Sequence, residues 1–195
     1  MAEPANAITG TSPRVVRLPT DVPGWDDVPQ ARRHARERRV ARDLVELSRL
    51  QRGGERAESA PLDLATLLST ICADYPQLQI RGPQQLRIST DSRRLARVLF
   101  ALLDNAYLHG APPVSVSFDA TEIIIEDSGS GFAPGLLPRV TEPFTTGARA
   151  NGRGVGLGLA IAARQAALLG AALQLSNGAH GAVAGLRLTP TAVAA

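Results

Sequence analysis

Gly152, Gly154, Gly156 and Gly158 alternate along the chain and run directly into the apolar stretch 159–169. Glycine at that density is costly inside a strand or a helix, because each one adds backbone entropy that folding must remove. The segment therefore reads as a bare turn that opens a helix. Exposed N–H groups at such a helix start, reinforced by the helix dipole, suit phosphate oxygens. The pattern contains no GxGxxG with a ribose-binding acid downstream, and it lies late in the chain, which speaks against a Rossmann unit.

A chain of 195 residues is one domain with an appendage, or at most two small domains, and 44% apolar content is enough for a core. Its single cysteine, Cys72, excludes an internal disulfide framework and a multi-cysteine zinc site. All 21 basic residues are arginine. The absence of lysine excludes a Walker A loop, the lysine of eukaryotic-type protein kinases and Schiff-base chemistry. No apolar run approaches a membrane span and the N-terminus is not a secretory signal, so a cytoplasmic protein is expected. The net charge of +3 comes from residues 31–56, where nine arginines face four acids; residues 57–195 carry ten of each. A nucleic-acid-binding domain would be expected to carry its own basic face, so nucleic-acid binding is not expected.

Periodicity divides the chain into a flexible leader (1–30), a helical segment (31–56) and a compact α/β body (57–195). The helix over 31–51 carries Val40, Leu44, Leu47 and Leu50 as an apolar stripe, with arginines solvated on its other faces. It cannot bury that stripe alone and needs a partner helix, in this chain or another, which predicts a homodimer or hetero-complex through 31–51. In the body, Pro61-Leu62-Asp63 opens a helix with Asp63 as N-cap, and Asp91 caps a longer helix over 92–109. Strands are expected near 78–81, 86–89, 114–118, 123–125 (buried on both faces), 172–176 and 183–188, the last two joined by a turn at Asn177-Gly178. Gly170 closes the helix that the glycine turn opens.

Two further segments carry more than packing demands. Asn105 interrupts an apolar helix, seven residues after Val98 and so on much the same inward face. A buried asparagine must be satisfied, and mid-helix it competes for backbone groups. Glu126-Asp127-Ser128-Gly129-Ser130-Gly131-Phe132 follows the isoleucine strand and offers one carboxylate beside backbone that a planar ligand can approach.

The ordered trio resembles the ATP-binding domain of bacterial sensor histidine kinases, within the group that includes gyrase B and Hsp90-type ATPases. Leu102-Leu103-Asp104-Asn105-Ala106 resembles the N box, Asp127-Ser128-Gly129-Ser130-Gly131 the G1 box, Glu142-Pro143-Phe144 the F box, and Gly154-Val155-Gly156-Leu157-Gly158 the start of the G2 box. The likeness runs over roughly 40–189 and includes Leu44–Leu50, similar to the end of the family's second dimerisation helix. It implies a two-layer α/β sandwich, a mixed sheet with helices on one face. It also implies ATP and Mg²⁺ as ligands. Asp127 would accept the adenine amino hydrogen, with Gly129 and Gly131 giving the ring access. Asn105 would hold Mg²⁺ and act catalytically. Phe144 and residues 154–158 would border the phosphates, and 145–151 would form a short mobile lid over ATP.

Three positions depart from the family pattern. Ala101 stands where a second asparagine is usual, Leu108 where lysine or arginine is usual, and Ala182 where threonine often follows glycine. The family's His-Glu/Asp-x-Arg-Thr/Ser-Pro acceptor motif has no match: His34 continues as Ala35-Arg36-Glu37-Arg38 and reads as a solvated helix residue. The resemblance thus implies a two-component histidine kinase domain without its own acceptor, acting on a response regulator or a histidine-bearing helical partner. The alternatives are a non-catalytic regulatory module and a serine kinase of the anti-sigma-factor type.

Overall fold

A computed structural model describes residues 29–147 and 154–189, with side chains from residue 40 onward. Of the expected leader over 1–30, residues 1–28 lie outside the described residues and Pro29 and Gln30 begin a helix; of the expected lid over 145–151, residues 148–151 lie outside them.

Twelve elements are present among the described residues: α1 (Pro29–Arg52), β1 (Ala60–Asp63), α2 (Leu64–Cys72), β2 (Gln79–Arg81), β3 (Arg87–Thr90), α3 (Ser92–His109), β4 (Ser115–Phe118), β5 (Glu122–Glu126), a 3-10 turn (Leu137–Arg139), α4 (Gly158–Leu168), β6 (Ala172–Asn177) and β7 (Ala182–Arg187). β2, β4, β5, β7 and β6 form one mixed sheet in that order, with only the β2–β4 pair parallel. Side chains alternate across a strand, so Val116 and Phe118, Ile123 and Ile125, and Leu186 share one face. That face packs on α2, α3 and α4 in a single core with Leu64, Leu68, Leu95, Leu99, Leu103 and Ala162. The chain is thus the expected two-layer α/β sandwich.

The caps follow from short polar side chains. The Asp91 carboxylate accepts from the N–H groups of Arg93 and Arg94, and that of Asp63 from Ala65. Each such cap contributes about 1 kcal/mol. Asp63 has a second task, because residues 60–63 are strand and not the opening of a helix. They pair antiparallel with β3, where Leu62 faces Ile88, and Asp63 Oδ1 also accepts from Leu86 N–H. Proline at position 61 is compatible with this two-stranded edge, where a ladder bond is dispensable. A second correction concerns β5. Ile123 and Ile125 are buried, but Ile124 is only half-buried, since it looks away from the helices.

The stripe of α1 finds its partner within the chain. Leu47 and Leu50 are buried against Leu157 and Ile161 at the start of α4, with Val155 and Leu168 alongside. Burial of two leucines is worth about 3–6 kcal/mol before ordering costs. The upper part of the stripe diverges, and Leu44 and Val45 stay exposed. Polar groups fix the register. Arg97 of α3 bridges Asp43 and Glu46 of α1. Gln165 of α4 donates to Glu46 at 2.9 Å and accepts from Arg94 at 2.8 Å. Arg94 also pairs with Glu55, just beyond α1.

Candidate functional site

The chain leaves β5 through Asp127, whose backbone N–H still pairs with Ala182 of β7 at 3.1 Å. Its side chain is 6% exposed. Oδ1 accepts from Gly129 N–H at 2.7 Å and from Ala182 N–H at 3.4 Å. Among the described residues, Oδ2 accepts no hydrogen bond. One carboxylate oxygen is thus held by backbone and the other is free to accept from a ligand.

Bare backbone surrounds that carboxylate. A Cβ on Gly110 would stand 2.3 Å from Asp127 Cγ, one on Gly181 2.6 Å from Oδ1, and one on Gly129 2.9 Å from Oδ1. The sequence pattern singles out Gly129, but it gives no sign of the demand at Gly110. A glycine after a helix reads as an ordinary stop signal. Here φ of Gly110 is −88°, which any residue adopts, so contact with Asp127 is the constraint.

Gly131 has φ +68°, and the place of its missing Cβ is filled by the Asn177 amide at 2.6 Å. Asn177 Oδ1 accepts from Phe132 N–H at 2.7 Å, and Nδ2 donates to Phe132 O at 3.0 Å. Sequence reasoning places Asn177 in a hairpin turn and misses this clamp, because it joins residues 45 positions apart.

Asn105 lies five residues before Gly110, so roughly 7.5 Å from it along the α3 axis. It is half-buried, not buried as its apolar surroundings suggest, and its amide has no hydrogen-bond partner among the described residues. Leu108 and His109 share its face of the helix. Both reach the glycine segment: a Cβ on Gly154 would lie 3.2 Å from His109 Nε2 and 3.7 Å from Leu108 Cδ2. The C-terminal end of α3 therefore gathers the Asp127 loop, Asn105 and Gly154.

Phe144 is 61% exposed and holds φ +64°, while its N–H donates to Gly156 O at 2.9 Å. Gly156, at φ +73°, packs on this backbone; a Cβ there would lie 2.4 Å from Thr145 O. Val155 and Leu157 turn their side chains to α1 and not to the site, leaving only main chain for a ligand. Gly158 opens α4 with free space where a Cβ would be. Among the described residues no side chain caps α4, which leaves its first N–H groups suited to an anion.

This geometry meets a clear likeness to known proteins. The family model described as histidine kinase-, DNA gyrase B- and HSP90-like ATPase matches residues 90–191. The chain belongs to that family. A sensor protein CseC of Streptomyces coelicolor is 42% identical over 142 residues, which cover 72% of this chain and 28% of that protein. The sensor histidine kinase component HK1 of Mycobacterium tuberculosis is 39% identical over 118 residues, 58% of this chain and 66% of that protein. Among solved structures, the ATP-binding domain of PrrB from Mycobacterium tuberculosis shares 29% identity with a TM-score of 0.53, covering 69% of this chain and 98% of that domain. The histidine kinase AdeS of Acinetobacter baumannii, at 23% identity and a TM-score of 0.63 over 78% of this chain and 77% of that one, shares the fold. The chain spans less than a third of the length of the CseC proteins it matches. It is a histidine kinase-type ATPase domain of the kind found in two-component sensor kinases.

Proposed function

We propose that this chain is the ATP- and Mg²⁺-binding catalytic half of a two-component histidine kinase, and that it phosphorylates a histidine carried by a partner. The domain would span 57–195, with 31–56 as the end of a dimerisation helix. Asp127 carries the reading: its Oδ2 is the acceptor an adenine amino group needs, on a carboxylate that Gly110, Gly129 and Gly181 let pack against bare backbone. The amide of Asn105, without a hydrogen-bond partner among the described residues, suits one oxygen position on a Mg²⁺ ion that the phosphates otherwise hold. The backbone from Gly154 to Gly158, leading into an uncapped helix start, favours the negative charge of the phosphates. In the transfer, the bond from the γ-phosphorus to the bridging oxygen breaks, a P–N bond forms on the acceptor imidazole, and ADP leaves with the electron pair. None of the three histidines stands in an acceptor motif, which supports an acceptor outside these 195 residues. A response regulator would then take the phosphoryl group, in the cytoplasm.

Calorimetry with a non-hydrolysable ATP analogue and Mg²⁺ tests the site. The wild type should release heat and melt higher with the analogue. Asp127→Asn should bind at least tenfold more weakly, because a carboxamide offers the adenine amine a weaker acceptor. No heat and no rise in melting temperature for the wild type would end the assignment.

A second reading, a nucleotide-binding module that transfers slowly or not at all, is favoured by one observation. Leu108 presents aliphatic carbon to Gly154 where the family pattern has a cation. Labelled ATP incubated with histidine-bearing partner candidates separates the two. Acid-labile phosphate on the partner, abolished by Asp127→Asn, supports the kinase.

A further inference from the structure

We propose that Asn177, at the end of β6, is a positioning residue for the nucleotide site: its amide clamps the Asp127–Phe132 loop in the shape that accepts the base. The inference rests on the nucleotide reading above.

Asn177 is exposed and lies outside the core, yet both polar atoms of its amide are committed to one distant residue. Oδ1 accepts from Phe132 N–H at 2.7 Å and Nδ2 donates to Phe132 O at 3.0 Å. The pairing needs a donor and an acceptor on one short side chain, which asparagine supplies and aspartate does not. The same amide sits 2.6 Å from where a Gly131 Cβ would be, so the clamp and the left-handed glycine were fitted together. The other end of the loop is held by the same hairpin. Asp127 N–H pairs with Ala182 O, and Gly181 packs on the Asp127 carboxylate.

Ser128 is anchored separately, its N–H to Ala111 O and its hydroxyl to Pro113 O. Between Gly129 and Phe132, no other hydrogen bond from outside the loop is present among the described residues. Loss of the clamp therefore frees the glycine half of the loop and leaves Asp127 in place. The expected consequence is weaker binding on the base side, through the entropy of reordering the loop, without loss of the fold.

The test compares wild type, Asn177→Ala and Asn177→Asp with ADP and with a non-hydrolysable ATP analogue, alongside hydrogen exchange at Phe132 without nucleotide. Asn177→Ala should bind both nucleotides about tenfold more weakly and by the same factor, since the defect lies at the base and not at the phosphates. Its melting temperature without nucleotide should stay within a few degrees of wild type, as for most surface substitutions. The Phe132 amide should exchange faster. Asn177→Asp, which keeps the acceptor and loses the donor, should fall between the two. An Asn177→Ala protein that binds as tightly as a binding wild type, or whose Phe132 amide exchanges unchanged, overturns the proposal alone. A wild type that binds neither nucleotide fails the nucleotide reading and this inference with it.

Discussion

Phe144 donates its backbone N–H to Gly156 O at 2.9 Å, and both residues hold positive φ, 64° and 73°. For phenylalanine that conformation costs on the order of 1–3 kcal/mol and persists only where the surroundings dictate it. Here the dictating partner is the glycine segment. The F-box and G2-box residues therefore make one structural unit, although the residues between them include 148–153, outside the described part of the chain.

Gly156→Ala should break that unit. A Cβ there would stand 2.4 Å from Thr145 O on a strained backbone. Stability should fall by about 1–3 kcal/mol, and affinity for the ATP analogue by tenfold or more. Denaturant titration and calorimetry on the same protein check both. Gly158→Ala, with open space at its Cβ, should be much milder in stability.

Arg97→Met should loosen α1 from the body. The substitution keeps most of the aliphatic stem and removes the cation shared by Asp43 and Glu46, both largely buried. Removing the cation that both carboxylates share should cost roughly 2–3 kcal/mol. Hydrogen exchange in residues 43–50 should accelerate while β4 and β5 stay protected. Adding Asp43→Asn and Glu46→Gln to Arg97→Met should recover part of the loss, which measures the coupling among the three charges.

Asp91 should shape the acid limb of stability. Burial pushes its carboxyl up, but N–H groups of Glu58, Arg94 and Arg93 and the Arg94 guanidinium outweigh that and hold it below the ordinary 3.8. The unfolded chain then binds the proton more readily than the native one, so stability rises with pH in that range. The contribution is present above about pH 4 and is lost as pH falls through the lowered native value. Asp91→Asn should flatten the acid limb and lower stability at neutral pH by about 1–2 kcal/mol through a weaker cap. Chemical denaturation from pH 3 to pH 7 reads both.

Cys72 should be silent to thiol reagents. It is 2% exposed, and burial pushes its thiol up to about 12, so native protein at pH 8 offers almost no thiolate. A disulfide-exchange reagent should report one thiol per chain in denaturant and close to none under native conditions. Rapid native labelling would mean that α2 opens readily.

Much of this was legible from residues alone, and the exceptions share a cause. The 92–109 helix is observed as Ser92–His109, since its cap and its apolar spacing are both local signals. Asp127, Gly129 and Gly131 fall in one short motif, in the loop that leaves β5. The β1 strand escaped because four residues ending in a good N-cap look like a helix entry; only its pairing with β3 defines it. Gly110, Gly181 and Asn177 matter through contacts with residues far along the chain, which no spacing rule encodes. Leu157 and Val155 carry motif positions, but their side chains serve α1, a division of labour between backbone and side chain that a sequence letter cannot express.

That division has a mechanical consequence. Leu47 and Leu50 grip the residues that lead from the glycine segment into α4, and one side chain cannot fill two sockets. A second copy reaching for the same leucines must first peel the helix off its own domain, and doing so removes the support behind the glycines. Leu44, the exposed member of that stripe, can meet a partner without disturbing this support.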